Sequence, residues 1–254
     1  MKTDLPLFIY WGMAGCFSIA LILGLFKQRT LSRAAGLGGT LVSGAGVVCL
    51  MVMEERLPLY GSLESIIYVS FLLTLLELFT GPRTRTGSRD VPLHLLTLGI
   101  ICILLVLQAR RTMAFNADFF MYDNLWVNFF FNLRLVAAAV FAWSAVLFVA
   151  GGWAPSKPEN GDREARDRLM AGGRNFLLTG IAVYLASEWS GSLWCLNWMG
   201  DSWQWSRGFF KAGIIFLLVM AASHLPRSLA DSDRVRAILG SCPAVYILWM
   251  LFQH

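Results

Sequence analysis

The stretch from Gly191 to Trp205 carries the residue types most able to form a binding surface. Its four tryptophans are separated by small and polar residues, including a glycine: Trp194, Trp198, Gly200, Trp203 and Trp205. A tryptophan ring offers a wide apolar face and one N–H donor, which suits the boundary between membrane and water. The same features would hold a flat apolar ligand with charged edges, such as haem. An aromatic belt without a ligand is the alternative interpretation.

Three histidines are the candidate iron ligands, because imidazole commonly ligates haem iron. His224 lies near the end of an apolar segment, where an ionisable side chain marks either a functional site or a headgroup contact. His254 ends the sequence, and a frayed terminus is the alternative for it. For His94, beside a basic loop, an interfacial structural role is the better interpretation.

Charged side chains have two expected roles: binding the acidic edges of a ligand and pairing with each other within the membrane. Arg207 and Lys211 follow the tryptophans directly and are placed to neutralise acidic edges of a ligand, with Arg110 and Arg111 as alternates. Glu64 and Arg134 lie within apolar segments. We expect them to pair with each other, since pairing lowers the cost of burying either charge.

The composition requires a membrane around these residues. The chain has 254 residues, 57% of them hydrophobic and only 15% charged, and its mean hydropathy is +0.60. That is too little polar surface for a soluble globule of this size. The sequence predicts an all-α, polytopic helical bundle with about eight transmembrane helices near residues 5–26, 35–53, 58–80, 91–109, 125–150, 172–190, 209–225 and 236–253.

Basic residues predict the orientation of this bundle. Most of the 21 lysines and arginines fall in the loops after spans one, three, five and seven, which are therefore expected in the cytoplasm. Both termini and the tryptophan-rich segment are then on the outer side of the cell inner membrane. The net charge of +5 follows from this asymmetry and indicates no nucleic-acid partner. The five cysteines form no C-x-x-C pair, so neither a zinc site nor a dithiol redox motif is indicated.

The whole chain, residues 1–254, is interpreted as one transmembrane domain. Within it we expect a five-helix part over 1–153, a cytoplasmic linker over 154–174 and a three-helix part over 175–254. The last part includes an outward tryptophan-rich segment over 191–208. Prolines, a glycine and interspersed charges give the linker its hydrophilic character.

Two stretches resemble the CcsA/ResC-type cytochrome c biogenesis proteins. The run Pro58-Leu-Tyr-Gly-Ser-Leu-Glu64-Ser65 is similar to the family's F-P-L-x-N-x-Y-E-S-L stretch at its third span. The tryptophan-rich segment is similar to its W-A-N-x-A-W-G-x-Y-W-x-W-D-P-K-E signature. His224 also falls where the family has its Leu-His. This chain departs from the family in having Ser206-Arg207-Gly208-Phe209 in place of Asp-Pro-Lys-Glu, and Phe130 in place of an external histidine.

The resemblance implies a divergent cytochrome c maturation factor. Such a protein would present non-covalent haem b on the outward tryptophan segment, with His224 and His254 as candidate metal ligands. Its partners would be an apocytochrome c or multihaem cytochrome, the lipid bilayer and a ResB-like membrane subunit. The resemblance leaves open whether it forms part of a haem lyase. A degenerate scaffold or anchor subunit of a membrane electron-transfer complex is the alternative, and a small-solute transporter is a weaker one.

Overall fold

The computed structural model describes residues 5–81, 90–111, 124–153, 160–201, 207–226 and 232–252. Every regular element in these ranges is an α-helix, as the sequence predicts. The eight helices of the described residues are α1 (Leu5–Leu25), α2 (Arg29–Glu54), α3 (Ser62–Thr80), α4 (Asp90–Gln108), α5 (Leu125–Gly152), α6 (Asn160–Met199), α7 (Arg207–Ser223) and α8 (Asp233–Met250).

Five of these helices are long and apolar enough to cross a membrane: α1, α2, α3, α5 and α6. The apolar parts of α4 and α7, Pro92–Gln108 and Phe209–Ser223, are shorter. A span needs about 20 apolar residues because the hydrocarbon core is about 30 Å thick. The helices therefore support an integral membrane protein.

The chain divides into two compact units, Met1–Phe120 with Leu251–His254, and Met121–Met250. The sequence interpretation of one transmembrane domain, with a five-helix part over 1–153 and a three-helix part over 175–254, stays a prediction. In the first unit, α1 packs on α2 and α4, and α3 contacts α2 and α4. The hydroxyl of Tyr10 donates to the Leu105 carbonyl at 2.7 Å and joins α1 to α4.

Helix α5 forms the centre of the second unit, where it packs against α6 and α8. Every residue from Ala137 to Leu147 is buried, as expected for a helix that is apolar on all sides. Small residues allow the neighbouring helix to approach closely. A Cβ atom at Gly180 of α6 would lie 2.7 Å from the Phe141 ring. The hydroxyl of Ser144 donates to the Gly173 carbonyl at 2.7 Å in the same interface.

Helix α6 differs most from the sequence prediction. It begins at Asn160, so much of the stretch interpreted as a hydrophilic linker is helical, and it continues through Gly191–Met199. With 40 residues it is roughly 60 Å long, about twice the thickness of a hydrocarbon core. Helical propensity in the charged stretch explains the difference, since Glu, Arg, Leu and Met are good helix formers. An ion pair of 2.9 Å between Arg166 and Asp233 ties this extension to the start of α8.

Candidate functional site

The C-terminal end of α6 carries the described part of the tryptophan-rich segment. All positions from 196 to 201 are exposed, on every side of the helix, so the end of α6 extends beyond the helices that pack around it. The side chains of Trp198 and Met199 are 51% and 57% exposed. The helix ends at Met199 and is followed by Gly200, whose φ of +72° is a left-handed conformation that glycine adopts without steric cost.

Trp194 lies one turn before this exposed end and faces inward. Its ring is 6.1 Å from the Phe130 ring of α5, at an angle of 51°. Gly191 makes this contact possible, because a Cβ there would lie 2.7 Å from the same phenylalanine. The indole Nε1–H of Trp194 is buried and has no hydrogen-bond partner among the described residues. Trp194 is therefore half-buried with an unsatisfied donor, whereas the side chain of Trp198 is 51% exposed.

An ion pair between Arg134 of α5 and Glu188 of α6 lies next to Phe130. The guanidinium is centred 4.0 Å from the Phe130 ring and 5.6 Å from the ring of Tyr184, so two aromatic faces flank it. Side-chain exposure is 16% for the arginine and 30% for the glutamate. The Nε–H of Arg134 is buried without a hydrogen-bond partner in the described part of the chain.

Glu64 pairs with Arg56 and Arg134 pairs with Glu188, so the partners predicted from the sequence are wrong. The Glu64 carboxylate accepts two hydrogen bonds of 2.9 Å from Arg56, eight residues earlier in the chain. The prediction failed because it considered residues within helices, whereas Arg56 lies in the short connection that follows α2. With side-chain exposures of 7% and 1%, this pair is almost closed to solvent.

The Arg56–Glu64 pair also fixes the connection between α2 and α3. The backbone N–H of Tyr60 donates to the Glu64 carboxylate at 3.3 Å, which turns the chain into α3. Burial raises the pKa of the Tyr60 phenol to about 12, with a smaller upward contribution from Glu64 that opposes the lowering by Arg56. The stretch that resembles the biogenesis family is thus a structural clamp at the start of α3.

Three further candidate residues lie on or directly after α7. Lys211 is half-buried in α7, and Arg207 is the first residue of that helix. His224 follows the opposite end of α7, is exposed, and contacts the Met220 carbonyl through Nδ1 at 3.1 Å. Arg207 and His224 are therefore separated by most of a 17-residue helix, about 25 Å along its axis.

His94 has a partner that agrees with a structural role. Its Nδ1 lies 2.7 Å from the Glu77 carboxylate, joining α4 to α3. Three predicted site residues lie outside the described residues: Trp203, Trp205 and His254. No group of three or more His, Cys, Asp or Glu that could hold a metal ion occurs within the described ranges.

Sequence analysis missed Glu188, Tyr184 and the role of Phe130. Glu188 had a detectable signal, because it is a carboxylate in the apolar run before the tryptophans, and ionisable residues within spans usually mark partners or sites. The partnership between Arg134 and Glu188 required knowing that α5 and α6 pack against each other. No family model, curated protein or solved structure matches this chain.

Proposed function

We propose that this chain is a haem-handling membrane protein of the CcsA/ResC type that presents haem b to a cytochrome undergoing maturation. The observation that carries the proposal is the end of α6, where Trp198 and its neighbours are exposed on all sides. A helix that only faces lipid is expected to be exposed along one stripe. Exposure on every side makes this end of α6 accessible to a ligand or partner.

The described residues fit the edge and the face of a porphyrin. Trp198 is 51% exposed at the end of α6, and the indole N–H of Trp194 is buried without a hydrogen-bond partner among the described residues. Burial of porphyrin surface would contribute about 25 cal/mol per Å² removed from water. Arg207 and Lys211 are the cations expected to attract the propionates, because both belong to the helix that follows the segment.

Haem would supply the vinyl groups that a cytochrome's thiols attack, and this chain would bind and orient it. The other two tryptophans, Trp203 and Trp205, complete the proposed surface. His254 is the proposed axial ligand on the outer side. His224, at the other end of α7, would act where haem enters from the cytoplasm. An apocytochrome c or multihaem cytochrome, with a ResB-like subunit, would approach from outside.

This arrangement depends on a topology in the inner membrane with eight spans and both termini outside. A reporter fused after His254 should then be external, and one inserted at Asn160 cytoplasmic, because basic residues concentrate on the cytoplasmic side. Glycosylation or cysteine-labelling reporters would measure this. The opposite pattern would place the tryptophans on the cytoplasmic face and contradict the proposed presentation of haem outward.

Haem retention by the purified protein tests the proposal directly. The protein is expressed with ample haem synthesis, and haem is quantified by pyridine haemochrome. Trp198→Ala should lower retention, whereas the control Trp189→Ala should not, since Trp189 is a 69% exposed tryptophan further from the end of the same helix. Equal retention in both variants, or no haem in the wild-type protein with its partners present, would contradict the proposal.

The second candidate is a scaffold or anchor subunit without haem chemistry. It is favoured by the environments of the described histidines, since His94 pairs with Glu77 and His224 bonds to its own helix. The family's Asp-Pro-Lys-Glu is also replaced in this chain. A haem-free protein that purifies with subunits of an electron-transfer complex would support this candidate.

A further inference from the structure

We propose that Arg134 is an anion-binding residue that exchanges Glu188 for the carboxylate of a flat, apolar ligand. The ligand class rests on the proposed function, in which it is a propionate of the porphyrin. The site consists of Arg134 and Phe130 on α5, and Glu188 and Trp194 on α6. These residues form one continuous set of contacts from the ion pair to the tryptophan-rich end of α6.

The Arg56–Glu64 and Arg134–Glu188 ion pairs differ in how completely each arginine is used. Arg56 makes two parallel hydrogen bonds to Glu64 through both terminal nitrogens, and the pair is nearly fully buried. Arg134 contacts Glu188 through one terminal nitrogen, while its Nε–H has no partner among the described residues. A buried bidentate pair is expected to remain paired. A pair with one contact leaves a donor of the arginine that a second acceptor can bind.

The unused donors point to an acceptor-rich ligand. The Nε–H of Arg134 and the Nε1–H of Trp194 are both buried, and both flank the same Phe130 ring. A buried N–H without an acceptor is unfavourable, so such groups call for an explanation. A guanidinium can donate two parallel hydrogen bonds from one side, through Nε–H and one terminal N–H. The two oxygens of a carboxylate can accept one bond each. A ligand carboxylate at the guanidinium would satisfy the Nε–H of Arg134, and a further acceptor beside the Phe130 ring would satisfy the Nε1–H of Trp194.

A ligand carboxylate can replace Glu188 at Arg134 because the Glu188 side chain is partly exposed. Its side chain is 30% exposed and lies near the outer end of the predicted span 172–190, so the carboxylate can turn away from Arg134 toward the membrane surface. Before binding, Glu188 keeps Arg134 paired, which lowers the cost of holding a guanidinium between helices. On binding, the ligand carboxylate replaces Glu188 at the guanidinium, no covalent bond changes, and the charge at the arginine stays balanced.

The test compares metal-free protoporphyrin IX with its dimethyl ester, which has the same ring but no carboxylates. Binding to the full chain in lipid nanodiscs is followed by quenching of tryptophan fluorescence. Glu188→Gln removes the competing carboxylate and should tighten binding of the diacid about tenfold. Arg134→Gln combined with Glu188→Gln should weaken it about tenfold relative to wild type, a change of about 1.4 kcal/mol. The ester should bind all three proteins equally.

The double variant Arg56→Gln with Glu64→Gln is the matched control. It removes a buried arginine–glutamate pair outside the proposed site and should leave the affinity for the diacid unchanged. Melting temperatures show that each variant is folded, and the double variants leave no unpaired charge. The anion site would be overturned if the wild type, Glu188→Gln and the Arg134 double variant bound the diacid equally. It would also be overturned if the ester showed the same differences between these proteins as the diacid. Either result would leave haem binding intact. Binding of neither porphyrin to wild type would overturn the proposed function and this site together.

Discussion

Breaking the Arg56–Glu64 pair should be among the most destabilising single changes in the first unit. Replacing Glu64 by Leu leaves the guanidinium of Arg56 without its carboxylate, although only 7% of that side chain is exposed. Removing one partner of a buried ion pair typically costs 3–5 kcal/mol, so we expect a loss of about 3 kcal/mol or more. The backbone N–H of Tyr60 loses its acceptor as well, which adds about 1 kcal/mol.

Replacing both members of the pair should cost less than replacing one. Arg56→Met with Glu64→Leu leaves no buried charge, and well-packed apolar pairs often match a buried ion pair in stability. A double-mutant cycle, measured by unfolding in detergent micelles, should therefore show a coupling of about 2 kcal/mol or more. The exposed pair Glu164–Arg168 is the control, with both side chains about 70% exposed, and its coupling should be below about 0.5 kcal/mol.

A second cycle separates the observed pairing from the one that the sequence predicted. Glu64 and Arg134 bond to different partners, so their combined replacement should be additive within about 0.5 kcal/mol. Strong coupling between them, together with additive losses for Arg56 and Glu64, would refute the reasoning from the structure.

Two further predictions concern packing and pH. Gly180→Ala should destabilise the protein by about 1–3 kcal/mol because its Cβ would lie 2.7 Å from the Phe141 ring, whereas Gly213→Ala, with nothing within 4 Å, should be neutral or stabilising in thermal melts. The pKa of Tyr60 is raised from 10.0 to about 12, so above pH 10 the unfolded state loses this proton before the folded state does. Stability should therefore fall as the pH rises from 10 to 12, and Tyr60→Phe should remove that part of the loss; an unchanged pH profile would contradict the assignment.

Most helices of this chain could be predicted because lipid imposes a simple rule. A segment that crosses hydrocarbon must pair its backbone internally, so each long apolar run becomes a helix. The predicted run over 125–150 and the observed helix Leu125–Gly152 differ only slightly at the C-terminal end. Hydropathy gives no such rule for charged stretches. Residues from Asn160 onward could be a loop or a helix, and their contact with Asp233 of α8 favours the helix.

The candidate site was predictable only in part, because residue type and residue partner are different kinds of information. The exposure of Trp198 could be expected from its local sequence, whereas the helical structure around it was not predicted. Arg134 was recognised as an ionisable group within a span, but its partner was assigned from similar depth alone. Similar depth in the membrane does not identify which carboxylate pairs with Arg134, because the packing of the helices determines which side chains meet.

The organisation of α6 gives the tryptophan-rich end a physical link to the interior of the second unit. Glu188 and Trp194 lie on the α6 surface that faces α5, whereas Trp198 lies where the helix has left the bundle. One continuous helix carries Glu188, Trp194 and Trp198. A ligand bound at the end of α6, as proposed, would therefore disturb the contact between Glu188 and Arg134 if it turned or tilted the helix. We expect Glu188→Gln, which weakens that contact, to alter hydrogen exchange at residues 196–201. If exchange at the helix end were unchanged in this variant, with and without porphyrin, the end of α6 would be mechanically independent of the ion pair.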